Sequence, residues 1–409
     1  MTSNATSIYI SKLLSNLIGV LTGIFLLSCA AFRAEWFFEY NIYVGYLHSL
    51  FVFVGCVLVF YFGARIAMFK GRYGLLSLVG IELTLIIFFF IVTQFQIKKK
   101  IPGTLLGKIY YSLIDTIQYN VTFSQYDSEL GYIYRPNVSS KFQKWEFNTY
   151  FQTNKAGLRD DDASLNNPAI IALGDSYGSG WGVGQQETYA QLVEKYIGKK
   201  VLNAGIASYG TVREGLLLNR LDRDSCQWVI IQYCVNDFQE NRTWADSVLR
   251  GQIFSYSNTR KSYKTNVLAN TVRNTYVPFR FFFESGREVI KNLFYSEKET
   301  FRNTSSIPLQ ANAFLKTLTS IRKTYQGKIL VVSISSSKRL DAPFIAESKR
   351  LSSGYGLSGV YFLDTSTKLG LADIYTVDRH LNKSGHQKIA AQIIKFLQSF
   401  PRIQDKNTN

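Results

Sequence analysis

The chain has 409 residues, a mean hydropathy of −0.01 and a formal net charge of +17 at pH 7. Four cysteines in a chain of this length exclude the small secreted proteins that depend on a disulfide framework. The charge is unevenly placed, because residues 1–97 hold five Lys or Arg and three Glu, and residues 98–409 hold a net charge of +15.

Three apolar runs lie in the first 97 residues. Leu13 to Phe32 is uncharged, the second run contains only His48 as a titratable residue, and the third contains only Glu82. Each run is long enough to cross about 30 Å of hydrocarbon. We therefore predict an N-terminal membrane region, residues 1–97, with transmembrane helices at about 13–32, 43–64 and 74–97.

A signal peptide is the competing interpretation of the first run. The run ends in "LLSCAA", which loosely resembles a lipoprotein cleavage site at Cys29. Leu27 is poorly suited to its position in such a site, and two further apolar runs follow. The pattern favours a retained membrane helix.

Basic residues in the short loops predict the orientation. The loop between the second and third runs contains Arg65, Lys70 and Arg72, whereas the loop before it contains Arg33 and two glutamates. Short cytoplasmic loops are enriched in Lys and Arg. We therefore expect a multi-pass protein of the cell membrane with everything after Ile97 outside the cytoplasm. Lys98 to Lys100 favour the opposite orientation, but the rule is weak before a long domain.

The basic surface of the outer part suggests several partners. Nucleic acid fits poorly with a domain outside the cytoplasm, and we predict no such partner. An anionic membrane surface or an acidic glycan fits better. A basic face without a specific ligand is an equally valid interpretation.

Residues 98–167 form a predicted connecting region with short strands such as "GYIYRPNV" and "KWEFNTYFQT". From Pro168 onward apolar runs alternate with segments of helical period, which is typical of a parallel sheet covered by helices on both faces. Five strands are expected, at 169–174, 200–205, 227–234, 328–335 and 360–365. Helices are expected near 187–197, 211–221, 311–325 and 384–399. The predicted fold class is a three-layer α/β/α domain at 168–409.

A long insertion, at about 238–309, interrupts this alternation. It is rich in basic and aromatic residues and includes the stretch "PFRFFF". Insertions after the carboxyl end of a strand lie where binding sites form in α/β folds. A lid, a membrane-contacting surface, a glycan-binding wall and a purely structural insertion are all compatible with this pattern.

The stretch "LGDSYGSGWGVG" contains the candidate nucleophile. Ser176 directly follows a predicted buried strand, so it should lie at the carboxyl edge of the sheet. A serine hydroxyl needs a base to become a nucleophile. Of the three histidines, His48 is in a membrane run and His386 is expected to have a structural role. His380 lies two residues after Asp378, so one loop could supply both the base and the carboxylate that orients it.

An acyl-transfer site also needs donors for an oxyanion. The backbone N–H groups of Ser176 and Gly205 and the side-chain amide of Asn236 are candidates. Each lies just after the carboxyl end of a different predicted strand, in "GDSYG", "NAGIASYG" and "CVND". Parallel strands place these ends at one edge of the sheet.

These blocks, together with "DRHLNKSGH", resemble those of the SGNH (GDSL-type) hydrolase superfamily over residues 168–400. The resemblance implies a flavodoxin-like fold, Ser176 as nucleophile, His380 as general base and Asp378 as its acid partner. It also implies an oxyanion hole formed by Ser176, Gly205 and Asn236. Cys234 stands where the family usually has glycine. "GDSYG" also fits the nucleophile elbow of α/β-hydrolases, but the spacing of Asp378 and His380 favours the SGNH family.

The expected activity is that of a membrane-anchored serine esterase acting outside the cytoplasm on an acylated glycan or lipid. One alternative is an O-acetyltransferase for a cell-surface polysaccharide, which would need a multi-span membrane partner to supply the acyl donor. A non-catalytic glycan- or lipid-binding module is a third hypothesis. No metal-ligand spacing or phosphate-binding loop is evident, so no cofactor is expected. Glu82 is either a functional carboxylate or a paired structural group.

Overall fold

The computed structural model describes residues 2–32, 44–101, 104–113, 116–249, 259–274, 278–294, 304–335 and 338–400. The chain divides into two compact units. The first, here the helical unit, comprises residues 1–116 and 264–296. The second, here the sheet unit, comprises residues 117–263 and 297–409. The sheet unit thus includes most of the predicted connecting region, and the helical unit includes part of the predicted insertion. The domain boundaries drawn from the sequence stay predictions.

The helical unit begins with four helices, α1 (Thr2–Phe32), α2 (Val44–Ile66), α3 (Gly71–Lys99) and α4 (Thr104–Leu113). Two helical segments, Ser7–Ala30 and Gly71–Lys99, are long and apolar enough to cross a membrane. The apolar part of α2 identified between them, Leu50–Ile66, is shorter. The predicted loop that contains Arg33 lies outside the described residues.

Small residues allow α1 and α2 to approach closely. A Cβ atom added to Gly23 would lie 2.8 Å from the carbonyl oxygen of Gly55, and one added to Gly55 would lie 2.8 Å from the side chain of Leu27. No larger side chain fits at either position without displacing a backbone.

The sheet unit begins with two small antiparallel sheets. The first pairs β1 (Ser124–Asp127) with β2 (Gly131–Tyr134), and the second pairs β3 (Ser139–Gln143) with β4 (Asn148–Gln152). Phe123, Tyr134, Phe142 and Phe151 are buried between them and contact one another through edge-to-face rings.

The main sheet has five parallel strands in the order β6-β5-β7-β8-β9. The strands are β5 (Ile170–Leu173), β6 (Val201–Asn203), β7 (Trp228–Tyr233), β8 (Lys328–Ser333) and β9 (Val360–Leu363). All five predicted strands are therefore confirmed, with slightly shorter bounds. They are mostly apolar because helices cover both faces.

The alternation of side chains along the strands divides the core in two. On β5, Ile171 and Leu173 face one layer, and Ile170 and Ala172 face the other. The first layer contains α7 (Thr211–Leu218), α11 (Ile307–Thr324) and α12 (Lys338–Leu351), and the second contains α6 (Tyr189–Ile197) and α13 (Lys383–Leu397). This is the expected three-layer α/β/α fold.

Four further α-helices lie among the described residues. A single turn, α5 (Ser176–Ser179), follows β5, and α8 (Asp237–Leu249) follows β7. The predicted insertion contains α9 (Thr259–Asn274) and α10 (Arg280–Phe294), and its other parts include residues outside the description. The sequence did not predict α12, because Pro343 interrupts its helical pattern and its apolar stripe is short.

Candidate active site

Three predicted residues meet at the carboxyl edge of the sheet. His380 Nε2 lies 2.7 Å from Ser176 Oγ, and His380 Nδ1 lies 2.6 Å from Asp378 Oδ1. Asp378 is buried, and the side chain of His380 is 15% exposed. The three side chains form one continuous hydrogen-bonded chain that ends at a hydroxyl, which is the arrangement of a serine nucleophile and its base.

The turn after β5 holds Ser176 at this edge. Ser176 is the first residue of α5, and the preceding Asp175 caps the turn by accepting the N–H of Tyr177 at 2.9 Å. Gly180 ends the turn in the left-handed conformation, with φ of 81°. The backbone N–H of Ser176 lies at the start of this helical turn, where N–H groups have no intrahelical acceptor.

Asp175 also positions Asn236. Asn236 Nδ2 donates to Asp175 Oδ2 at 3.1 Å, which places the amide beside the residue that precedes the serine. An amide has two N–H bonds, so one remains for another acceptor. Gly205 comes so close to the serine turn that an added Cβ would lie 2.4 Å from the nitrogen of Ser179. Its N–H group donates to Asn203 Oδ1 at 3.1 Å in this structure.

The four sequence blocks therefore lie on four loops at one edge of a sheet whose strand order is 2-1-3-4-5 when its strands are numbered along the chain. This is the flavodoxin-like strand order of the α/β folds, as the sequence predicted. The hydrogen-bonded serine, histidine and aspartate have the geometry of a serine nucleophile with its base.

No protein-family model and no curated protein sequence matches the chain. Among solved structures, it is similar to a member of the lipolytic G-D-S-L family from Veillonella parvula, at 13% identity over 56% of this chain and 98% of that chain, with a TM-score of 0.33. It is also similar to an acetyl xylan esterase from Butyrivibrio proteoclasticus, at 13% identity over 56% and 63% of the two chains, with a TM-score of 0.34. A salicylyl-acyltransferase from a tetracycline biosynthetic pathway aligns at 11% identity over 60% and 58%, also with a TM-score of 0.34.

Gln232, in the central strand β7, supports the serine turn. The residue is fully buried, and its Oε1 accepts the N–H groups of Asp175 at 3.1 Å and Gly178 at 3.0 Å. A buried amide in an otherwise apolar strand is costly unless it is hydrogen-bonded. Its polarity within "WVIIQY" was the signal that could have identified it from the sequence.

Arg159 binds the backbone at the end of the same turn and just after it. It is fully buried, donates to the carbonyl oxygens of Ser179 at 2.8 Å and Val183 at 2.5 Å, and lies 4.0 Å above the ring of Phe151. It belongs to the "TNKAGLRD" segment that precedes β5. The guanidinium thus ties the glycine-rich segment to the small sheets.

Backbone geometry places Asp378 and His380 on one side of their loop. Arg379 between them is in the left-handed conformation, with φ of 67°, which is strained for a residue with a side chain. The hydroxyl of Tyr177 donates to the carbonyl oxygen of Arg379 at 3.0 Å, and its ring lies 4.8 Å from that of His380. Trp181 Nε1 donates to the second carboxylate oxygen of Asp378 at 3.4 Å.

Glu146 holds the same loop from the β3–β4 hairpin, and sequence reasoning missed it. Its carboxylate accepts three consecutive backbone N–H groups, those of Thr376 at 2.6 Å, Val377 at 2.7 Å and Asp378 at 2.9 Å. Three such bonds to one carboxylate restrict the loop strongly. Glu146 is therefore a positioning residue for Asp378. Because Glu146 and Thr376 are 230 positions apart, there is no local pattern to detect.

The other two histidines lie elsewhere. His48 is part of α2. His386 lies buried on α13, where its Nδ1 accepts the N–H of Tyr189 at 3.2 Å, and burial lowers its pKa to about 3. His386 is thus neutral and fixed in place, in keeping with the structural role expected from the sequence.

A polar cavity of about 410 Å³ adjoins Asn236. Its other lining residues include Ser208, Arg213, Gln239 and Glu240. The ion pair between Arg213 and Glu240, at 2.7 Å, joins α7 to α8 beside the loops that contain Gly205 and Asn236. The cavity therefore offers hydrogen-bonding groups next to the candidate oxyanion donors.

The electrostatics of His380 predict a pH dependence. Burial lowers its pKa, but the charge and hydrogen bonds of Asp378 together with the charge of Asp175 raise it by more, so the pKa lies above its ordinary value of 6.5. Only the neutral imidazole can accept the proton of Ser176, so kcat/KM should fall on the acid side, with an apparent pKa above 6.5.

Asp378→Asn removes the charge that raises the pKa of His380, and we expect the acid limb of the pH profile to move to lower pH while the rate falls about 10⁴-fold. Rates with p-nitrophenyl acetate across pH test this, and an unshifted limb would contradict it.

Glu146→Gln should reduce kcat without a comparable change in KM. An amide has one acceptor oxygen, and its NH₂ group would face a backbone donor, so the loop that bears Asp378 loses part of its support. A misplacement of about 1 Å can reduce a rate about 100-fold. Glu194→Gln is the matched control, because Glu194 accepts the N–H of Val201 at 2.8 Å away from the site. Equal kcat values for the wild type and Glu146→Gln would disprove the positioning role.

Proposed function

We propose that the chain is a membrane-anchored serine esterase that acts outside the cytoplasm on an acylated glycan. The observation that supports it most is the short hydrogen-bonded chain from Asp378 through His380 to Ser176. The substrate class is inferred from the cavity beside Asn236, whose lining includes Ser208 and Gln239, side chains that can form hydrogen bonds with sugar hydroxyl groups. A lipid ester is the less favoured substrate.

The proposed reaction has two halves. Ser176 Oγ attacks the ester carbonyl carbon while His380 Nε2 accepts the hydroxyl proton, and Asp378 stabilises the resulting imidazolium through Nδ1–H. Collapse of the tetrahedral intermediate breaks the C–O bond, and His380 returns the proton to the leaving alcohol. Water then attacks the acyl-serine with His380 again as base, which releases the acid and restores Ser176.

The backbone N–H of Ser176 and the second amide N–H of Asn236 are the proposed donors to the oxyanion. Asp175 supports this role, because its carboxylate fixes the orientation of the Asn236 amide. Gly205 is the third proposed donor, and its N–H would have to exchange Asn203 Oδ1 for the substrate oxygen. Preorganised donors of this kind contribute about 3 to 4 kcal/mol each to transition-state stabilisation.

Membrane anchoring is proposed for the helical unit. The segments Ser7–Ala30 and Gly71–Lys99 have the length and composition of membrane spans, and much of their apolar surface is exposed. We propose α2 as the third span, with the sheet unit outside the cytoplasm. The basic loop around Lys70 supports this orientation.

A fluorophosphonate probe tests for an activated serine. We expect covalent label on Ser176 of the purified full-length protein, located by mass spectrometry. The label should be absent in Ser176→Ala and lost or strongly slowed in His380→Ala, because the base is missing. Removal of the nucleophile should lower kcat by about 10⁶-fold. Ser353→Ala, at an exposed serine outside the site, should label normally. A well-folded wild-type protein without label would favour the binding-module hypothesis.

The molecule that accepts the acyl group from the serine distinguishes an esterase from an acyltransferase. Both kinds of enzyme would use the same serine. In oxygen-18 water, hydrolysis of p-nitrophenyl acetate should release acetate that contains one heavy oxygen, because water attacks the acyl-serine. Added monosaccharides should not divert the acyl group. Formation of acetylated sugar at the expense of free acetate would instead assign the chain as an acyltransferase.

A further inference from the structure

Two features of the sequence have no part in the proposed reaction. One is Glu82, a carboxylate within an apolar run, and the other is the aromatic stretch "PFRFFF" in the insertion. Both lie in the helical unit. The carboxylate Oε2 of Glu82 accepts the backbone N–H of Phe282 at 2.8 Å. Residues 200 positions apart are therefore joined by a partly buried hydrogen bond.

This bond provides an acceptor for a backbone N–H group at the N-terminus of α10. Phe279, just before the helix, has φ of 64°, and the first intrahelical bond runs from the N–H of Phe283 to its carbonyl oxygen at 3.0 Å. The N–H groups before Phe283 have no acceptor within the helix. Glu82 supplies one from α3, and its negative charge faces the positive end of the helix dipole. The carboxylate is thereby paired, which an apolar span requires.

Aromatic rings hold the start of α10 against the proposed spans. Phe282 meets Phe60 of α2 at 5.7 Å between ring centroids, and Phe281 meets Phe89 of α3 at 5.1 Å. Phe283 belongs to a buried cluster with residues of α1, α2 and α3. The contacts therefore fix α10 against the helices proposed to cross the membrane.

The position of Glu82 along α3 gives the depth of this contact. At 1.5 Å per residue, Glu82 lies about 16 Å from Gly71 and about 25 Å from Lys99. The hydrocarbon core of a bilayer is about 30 Å thick. Where Gly71–Lys99 crosses the membrane, the first turn of α10 lies within the apolar layer.

The outer face of α10 is apolar and exposed. Gly286, Val289, Ile290 and Leu293 follow the i, i+3, i+4, i+7 spacing of one helical stripe. Val289 is 38% exposed, Ile290 is 48% exposed and Leu293 is 71% exposed. On α3, Ile87 is similarly exposed, at 58%. The stripe is thus both apolar and exposed, as is the surface that a membrane-spanning helix presents to lipid.

We propose that α10 is a membrane-embedded helix supplied by the insertion, anchored by Glu82 and with its 286/289/290/293 stripe in contact with lipid acyl chains. The inference rests on the proposed membrane spans. A soluble protein partner on the stripe is the alternative occupant, and the depth of the Glu82 contact favours lipid.

The test uses the full-length protein in phosphatidylcholine vesicles with an environment-sensitive fluorophore at single introduced cysteines. Leu293→Cys reports on the stripe, Ile87→Cys on α3, and Leu371→Cys is the matched control, because Leu371 is a 61% exposed leucine of the sheet unit. The unsubstituted protein, whose four cysteines are buried, gives the background. We expect nitroxides on the acyl chains to quench positions 293 and 87, and aqueous iodide to quench position 371.

Quenching at 87 but not at 293 by the acyl-chain nitroxides overturns the proposal for α10 and leaves the membrane spans intact. No lipid quenching at either position overturns both. Protection of 293 from both quenchers means that protein covers the stripe, which also overturns the proposal.

Glu82→Leu tests the anchor. The substitution leaves the first turn of α10 without its acceptor, so we expect faster tryptic cleavage after Arg280 and Arg287. Thr84→Val is the control, because the Thr84 hydroxyl bonds within its own helix, to the carbonyl oxygen of Gly80 at 2.8 Å. Cleavage of Glu82→Leu at the wild-type rate would overturn the role given to Glu82.

Discussion

The hydrogen bond between Ser176 and His380 joins two loops that lie 204 residues apart, and the surrounding structure serves to hold those loops in place. On the serine side, Gln232 accepts a backbone N–H group of the turn, and Arg159 donates to a carbonyl oxygen at its end. On the histidine side, Glu146 accepts three N–H groups from the loop that contains Asp378. Each support is a polar side chain bound to main chain, and Gln232 and Arg159 are fully buried. Hydrogen bonds of this kind make the geometry of the two loops rigid.

A cluster of buried carboxyl groups includes Asp175, the residue that precedes the proposed nucleophile. Burial raises the pKa of Asp175, and it raises the pKa of Glu214 and Asp237 further, with the neighbouring carboxyls adding to the effect. Within the described residues, neither carboxyl oxygen of Glu214 has a hydrogen-bond partner. These conditions favour the neutral forms of Glu214 and Asp237 and destabilise the fold locally. Such a cost beside the proposed nucleophile is typical of functional sites, where local rules of stability are broken.

Part of the insertion belongs to a different compact unit from the residues that flank it in the sequence. It leaves the sheet directly after Asn236, yet residues 264–296 pack with the N-terminal helices. The pairing of Glu82 with the N-terminus of α10 gives both the carboxylate and the aromatic stretch a physical reason. Neither feature is explained by the proposed ester chemistry. The basic and aromatic composition of the insertion alone was compatible with a lid or a glycan-binding wall as well.

The sequence by itself determined the parallel sheet and the residues proposed for the reaction. Apolar runs mark buried parallel strands, and since all their carboxyl ends lie at one edge, polar residues after each run could be grouped without a structure. Glu146, Arg159 and the partner of Glu82 were decided only by the tertiary structure. Each acts through contacts with main-chain groups that are distant in sequence and of any residue type, so no local pattern marks them. The helix α12 was missed for a related reason, since packing onto β8 and β9 stabilises it despite Pro343.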